Sequence, residues 1–327
     1  MTVQIYRSSD ASAPTLNGNS GSLVGLLDAV LVNGYGSKTA LGWTKSYAGT
    51  NKASYKQPTG SNGFYLDVDD STSDFATGSA RVRGYETMSA LGTGTNPFPT
   101  IAQIDAAHGI WVKSQEASAG TAVSWVVVGT NKMFFLWIQT VSTFTNGATG
   151  AYGPMFCFGD ILSYKSGDAY NTIIQVANGT SAPFADMHTT NIVATAISGL
   201  YTCRSYLQTG TSITTSRLID SAKSGGGTTI GGSGTIGSSN PNTFIQYPNP
   251  VDSNFYMSPI WAGEPVGATL RGQIPGVYAP LHWFPLITGS QIAGTGSFTG
   301  KTFEAFTLAA GSAGASGQVL LEVSNTW

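Results

Sequence analysis

The chain has 327 residues, of which 41% are hydrophobic but only 10% charged, against about 25% charged in an ordinary soluble domain. That length allows two domains, or one large β unit with an appendage. A formal net charge of -2 and scattered basic residues, densest at Arg81 and Arg83, argue against nucleic-acid binding, which needs clustered Lys and Arg.

In chain order, the first predicted element is a helix over 22–33. Leu23, Leu26, Leu27, Val30 and Leu31 fall at i, i+3, i+4, i+7 and i+8, which makes one apolar stripe. Ser20 or Ser22 can cap its start, Gly34 can end it, and Asp28 is expected at the edge of the stripe. Strand-like stretches at Trp43–Tyr47 and Ala53–Gln57 flank a predicted turn at Gly49-Thr50-Asn51. Phe64, Leu66 and Val68 alternate with polar neighbours and predict a half-buried strand paired with Ala80–Glu86. Thr100–Ala107 is read as a short helix with Ile101 and Ile104 on one side.

Val123–Val128 and Met133–Thr140 form the strongest predicted hairpin. Their continuous apolar runs imply burial on both faces, at the centre of a sheet or in an interface. Further strands are expected at Pro154–Phe158, Asn171–Val176, Gly199–Leu207, Phe255–Trp261, Thr302–Leu308 and Gln318–Val323. The segment 224–239 is almost all Gly, Ser and Thr and is read as a loop or linker. The expected division is therefore a main β-rich domain over 1–223, the Gly/Ser-rich segment 224–239, and a C-terminal β region over 240–327. The fold class is mainly β, with antiparallel sandwich-like sheets, one amphipathic helix near the N-terminus and Gly-rich loops.

Candidate chemistry is sparse. Asp67, Asp69, Asp70 and Asp74 form the one carboxylate cluster; it is either a loose Ca²⁺ site or a solvated hairpin end, and the ordered ligands of an EF-hand are missing. Gly232-Ser-Gly-Thr-Ile-Gly237 matches a dinucleotide fingerprint by letters, but it follows a glycine run and precedes no helix. His108, His188 and His282 stand apart, so neither a zinc site nor a Ser-His-Asp triad emerges. Cys157 and Cys203 are read as thiols buried in strands, with a disulfide left open. No catalytic residue and no cofactor are expected. The start carries no signal-peptide pattern, and the longest apolar run, Met133–Ile138, is far short of the ~20 residues of a membrane helix. Synthesis in a host cytoplasm and no membrane partner are the expectations. Large aromatics point to core or interface, with Phe134, Phe135, Trp137, Trp283 and Trp327 as the interface candidates.

Two regions resemble a known family. They include Leu26-Leu-Asp-Ala-Val-Leu-Val-Asn-Gly-Tyr-Gly36, Phe64-Tyr-Leu-Asp-Val-Asp-Asp70 and Ala80-Arg-Val-Arg-Gly-Tyr-Glu-Thr-Met88. Near the other end come Leu270-Arg-Gly-Gln-Ile-Pro-Gly-Val-Tyr-Ala-Pro280 and Gln318-Val-Leu-Leu-Glu-Val-Ser324. Together these are similar to an uncharacterised family of virion structural proteins of tailed bacteriophages and prophages of proteobacteria. The resemblance implies a particle component, at the capsid surface, the neck or the tail, with no catalytic site to transfer. Joined to the charge-poor, β-rich composition, it sets the expectation of a homo-oligomer at the head or neck of the virion, a decoration or a head–tail connector, with capsid, portal or tail proteins as partners. The alternative from another class is a tail-associated adhesin that stacks host glycans on exposed aromatic rings.

Overall fold

The computed structural model describes residues 2–71, 78–104, 109–140, 153–176, 200–210, 213–214, 216–219, 255–264, 269–280, 288–309 and 316–327. Strand β1 (Gln4–Arg7) comes first, followed by the helix. Strands β2 (Thr44–Gly49), β3 (Lys52–Lys56), β4 (Tyr65–Asp69) and β5 (Ser79–Tyr85) follow, then a small hairpin of β6 (Thr87–Ala90) and β7 (Thr93–Thr95). With β8 (Gly109–Val112), β2 to β5 make an antiparallel five-stranded sheet in the order β2-β3-β4-β5-β8. Next come β9 (Ser124–Gly129), β10 (Met133–Gln139), β11 (Met155–Asp160), the two-residue β12 (Leu162–Ser163), β13 (Thr172–Gln175), β14 (Leu200–Thr202) and β15 (Ile213–Thr214). All of these but β12 join β1 in a seven-stranded sheet, β1-β9-β10-β11-β13-β14-β15.

The remaining strands are β16 (Ser216–Ile219), β17 (Met257–Glu264), β18 (Thr269–Pro280), β19 (Gln291–Ala293), β20 (Thr302–Ala309) and β21 (Ser316–Glu322). They form the C-terminal sheet, β16-β17-β18-β21-β20-β19, with β12 added beside β18.

Alternation along β10 shows how the sheets stack. Phe134, Leu136 and Ile138 enter one core together with Tyr55, Leu66, Val82 and Trp111 of the five-stranded sheet and the helix residues Leu23 to Leu31. Met133, Phe135 and Trp137 enter a second core with Ile260, Ile274, Val277, Phe306 and Leu321 of the C-terminal sheet. Three layers result, and the middle sheet is covered on both faces. Rings lock across the gaps: Trp111 stacks on Phe156 at 5.4 Å, and Trp137 meets Phe306 at 5.8 Å. The hairpin expected at 123–140 is therefore central to its sheet, because a strand with six of seven residues buried needs a layer on each side.

The N-terminal helix forms where its stripe predicts, and all five stripe residues are fully buried. Its second half, Asp28–Asn33, winds as a π-helix, ending with Gly34 N donating to Ala29 O at 2.8 Å; Gly34 takes φ 74°. The expected serine cap is absent. Ser20 and Ser22 bond to Ser71 O and Asn17 O, and the Asp70 carboxylate instead accepts the Leu23 N–H at 2.8 Å. Asp28 sits at the stripe edge as expected, taking bonds from Tyr55 and Lys45. The segment at Thr100 is only a 3₁₀ turn, Ile101–Gln103, closed by a Thr100/Gln103 capping box. Ile101 is 64% exposed whereas Ile104 is buried, so the two do not share a side; 105–107 lie outside the described residues.

The division expected at 224–239 does not separate two cores. The C-terminal sheet recruits β16 and β12 from before that segment and shares a core with the middle sheet. Residues 224–239 themselves lie outside the described residues.

Both cysteines are free and buried. Cys157 faces the second core and Cys203 the first, on opposite faces of the middle sheet, so they cannot pair; Cys203 donates to Tyr170 O at 3.1 Å. Burial pushes the Cys203 thiol up. Neither thiol should react with a thiol reagent under native conditions, and both should titrate in denaturant. A denatured protein with no free thiol would contradict the layer assignment.

Candidate functional site

The interface candidates resolve into three cases. Phe134 and Phe135 are fully buried and Trp137 is 5% exposed, each inside this chain's own cores, so none offers a surface to a partner. This corrects the reading of those three: a run buried on both faces was satisfied by the chain's own layers. Trp327 packs edge-on against Phe135 at 5.5 Å, donates to Glu322 O at 3.0 Å, and covers Gly276. Gly276 has φ +70°, and a Cβ there would lie 2.1 Å from the indole; glycine is what lets the ring close down. Trp283 lies outside the described residues, as do His108, His188, His282 and 232–237.

The carboxylate cluster is not a metal site among the described residues, where no group of three His, Cys, Asp or Glu is placed to hold an ion. Each of the three described acids has its own protein partner. Asp67 accepts from Ser54, and burial raises its pKa. Asp69 pairs with Lys52 at 2.7 Å and takes two bonds from Ser71. Asp70 is fully buried against Lys113 and the helix N-terminus. Burial raises the Asp70 carboxyl and lowers the Lys113 ammonium, each opposed by its partner. Asp74 lies outside the described residues. Alternation explains the dispersal: Asp67 and Asp69 project from the outer face of β4, while Asp70 turns inward just past the strand end.

Two buried polar nodes tie the layers together, and neither was legible from spacing. Asp160 accepts from Gln57 at 2.9 Å, Thr172 at 2.7 Å and Asn62 N at 2.9 Å. It joins the middle sheet to the loop after β3, and burial raises its pKa. Arg271 of β18 is fully buried and uses all five N–H donors. Nε and Nη2 bind Asp168 at 3.0 and 2.9 Å, Nη1 binds Glu264 at 2.8 Å, and the other two donors reach Arg204 O and Tyr170 O. A guanidinium can be buried at tolerable cost only when every donor is matched in this way.

Above this node lies an exposed loop. Leu162 is 48% exposed, Tyr164 57% and Leu270 44%. The indole Nε1 of Trp261 donates to the Tyr164 hydroxyl at 3.1 Å. The chain is fixed here by Ser163 Oγ donating to Asp168, Lys165 N donating to Ser163 Oγ, and Tyr164 N donating to Arg271 O at 2.8 Å. No described helix is long and apolar enough to cross a membrane.

Replacing Arg271 by Ala strands two buried carboxylates, and urea unfolding should show a loss of about 3–5 kcal/mol. Burial works to raise the Asp168 carboxyl, but its bonds from Arg271 and Ser163 prevail and hold it below the ordinary range. A carboxylate depressed on folding contributes stability above its unfolded pKa and loses it as pH falls through its folded pKa. Wild-type stability should therefore fall on acidification below about pH 4, and the variant should show a shallower acid dependence. Equal acid slopes would contradict the assignment. No family model matches the chain, and no curated protein is similar to it.

Proposed function

We propose that this chain is a homo-oligomeric structural component of a tailed-phage virion, associated with the head or neck and stabilising the particle by surface burial. The observation that carries this reading is how the few charges are used. Arg7–Glu304, Lys113–Asp70, Arg271–Asp168, Arg204–Glu86 and Lys301–Glu322 are all internal pairs with at least one partner largely buried. Only 10% of the residues are charged, and these five pairs turn part of that small number inward, while Lys38–Asp10, Lys45–Asp28 and Lys52–Asp69 stay partly exposed; the surface is therefore poor in ions. Such a surface can be covered by neighbours at a lower desolvation cost than an ionic one. Symmetry then repeats each contact, and avidity supports modest individual affinities. The resemblance of Leu26–Gly36 and Leu270–Pro280 to virion structural proteins supports the same reading.

The second reading, a tail-associated adhesin, is favoured by one feature, the exposed Tyr164 bonded to the half-buried Trp261. Under the leading reading, antibodies to the chain should label purified particles at the head or neck, and the isolated protein should sediment as an oligomer. Label at the distal tail tip would favour the adhesin. Particles free of the chain, together with a monomer in solution, would refute both.

A further inference from the structure

We propose that Trp261 and Tyr164, with Leu162 beside them, form a stacking platform for a neutral pyranose chain. This deepens the adhesin reading and rests on it only for the ligand's biological source, because the geometry stands wherever the chain resides. Leu162 is register-paired with Gln273, and Gln273 with Trp261. Directly opposed residues project to the same face, so Leu162, Gln273 and Trp261 run in that order across the sheet, and Tyr164 joins the Trp261 end through its hydroxyl. Ile260 and Ala262, on either side of Trp261, point into the second core; the row therefore faces outward.

Three properties of this row fit a sugar. First, the Tyr164 oxygen accepts the indole N–H, which leaves the phenolic proton free to donate at the rim of an apolar surface. A pyranose offers the complement, a C–H face bordered by hydroxyls. Second, the loop is stiff before any ligand arrives. Asp168, gripped by Arg271, receives Ser163 Oγ at 2.7 Å and Tyr170 N at 3.1 Å, so little ordering entropy remains to oppose binding. Third, the adjacent cations are already engaged. Lys165 donates to Tyr206 O and lies 4.9 Å from that ring's centroid, and Arg204 is bonded to Glu86. This favours a neutral chain over an anionic one.

The apolar area is also too small for a stable protein partner. Leu162, Tyr164, Leu270 and Trp261 are only partly exposed. Together they fall well short of the ~800 Å² per side that such an interface takes.

The test is titration of the full chain with maltohexaose, cellohexaose, chitohexaose and a mannan fragment. Binding is followed by tryptophan fluorescence and by saturation transfer from protein to sugar C–H protons. At least one sugar should bind with millimolar affinity. Trp261→Ala and Tyr164→Ala should weaken it at least tenfold, while Tyr164→Phe, which keeps the ring, should weaken it less. Circular dichroism and urea unfolding establish that each variant is folded; should Trp261→Ala fail to fold, the exposed Tyr164 pair of variants decides. No binding by any of the four sugars, or binding that both Tyr164 variants leave unchanged, would overturn the proposal. So would self-association of the wild type that Tyr164→Ala abolishes, since it would make the patch a protein contact. None of these failures bears on whether the chain is found in particles.

Discussion

Covering both faces of one sheet is the constraint from which the rest of this structure follows. β9, β10 and β11 carry apolar side chains on both faces, and a strand of that kind has no solvent side. A single partner sheet would leave half of these residues wet. The chain meets the demand by folding its first hundred or so residues over one face and residues 257–322 over the other. The helix does not lie outside this stack: its stripe belongs to the first core, where Tyr55 binds both Val24 O and Asp28.

Dry layers of this thickness leave polar groups few places to go. The buried charged and polar side chains accordingly reach between elements distant in sequence. Arg7 of β1 grips Glu304 of β20 with two bonds, at 2.7 and 2.5 Å. Asp160 joins β11 to the loop after β3, and Arg271 joins β18 to the loop after β12. Ion pairs of this kind are a weak source of net stability but fix relative position, because a slipped arrangement strands a charge. In a stack of sheets whose apolar faces could slide, that specificity has an obvious use.

The mainly β class, the helix and the 123–140 hairpin were legible because each rests on local periodicity. The pairing of β4 with β5 was equally plain, since Leu66 and Val68 alternate cleanly with Asp67 and Asp69. β18 was hidden. It contains Pro275, Gly272 and Gly276, residues that argue against a central strand, yet it is the longest strand described. The structure accommodates the proline where the pairing to β17 shifts register and where β18 passes from β12 to β21. The reading of Phe134, Phe135 and Trp137 as interface residues went astray because sequence cannot tell a second layer of the same chain from a neighbouring molecule. Arg271, Asp168 and Glu264 showed no signal at all. Their meeting depends on tertiary approach across 103 residues, and no spacing rule encodes it.

The two cores draw on the chain unequally. Among the described residues, the first core lies between Tyr6 and Cys203, whereas the second draws on residues up to Leu321. During synthesis the ribosome therefore releases the described residues of the first core while the other face of the middle sheet, with Phe135, Trp137, Met155 and Cys157, still lacks Ile260, Ile274, Val277, Phe306 and Leu321. A nascent chain at that stage carries a broad greasy sheet face, the kind of surface that chaperones hold and that aggregates nucleate on. Closure waits for β20 and β21, and Val3 N, just before β1, then meets Asn325 O at 2.8 Å.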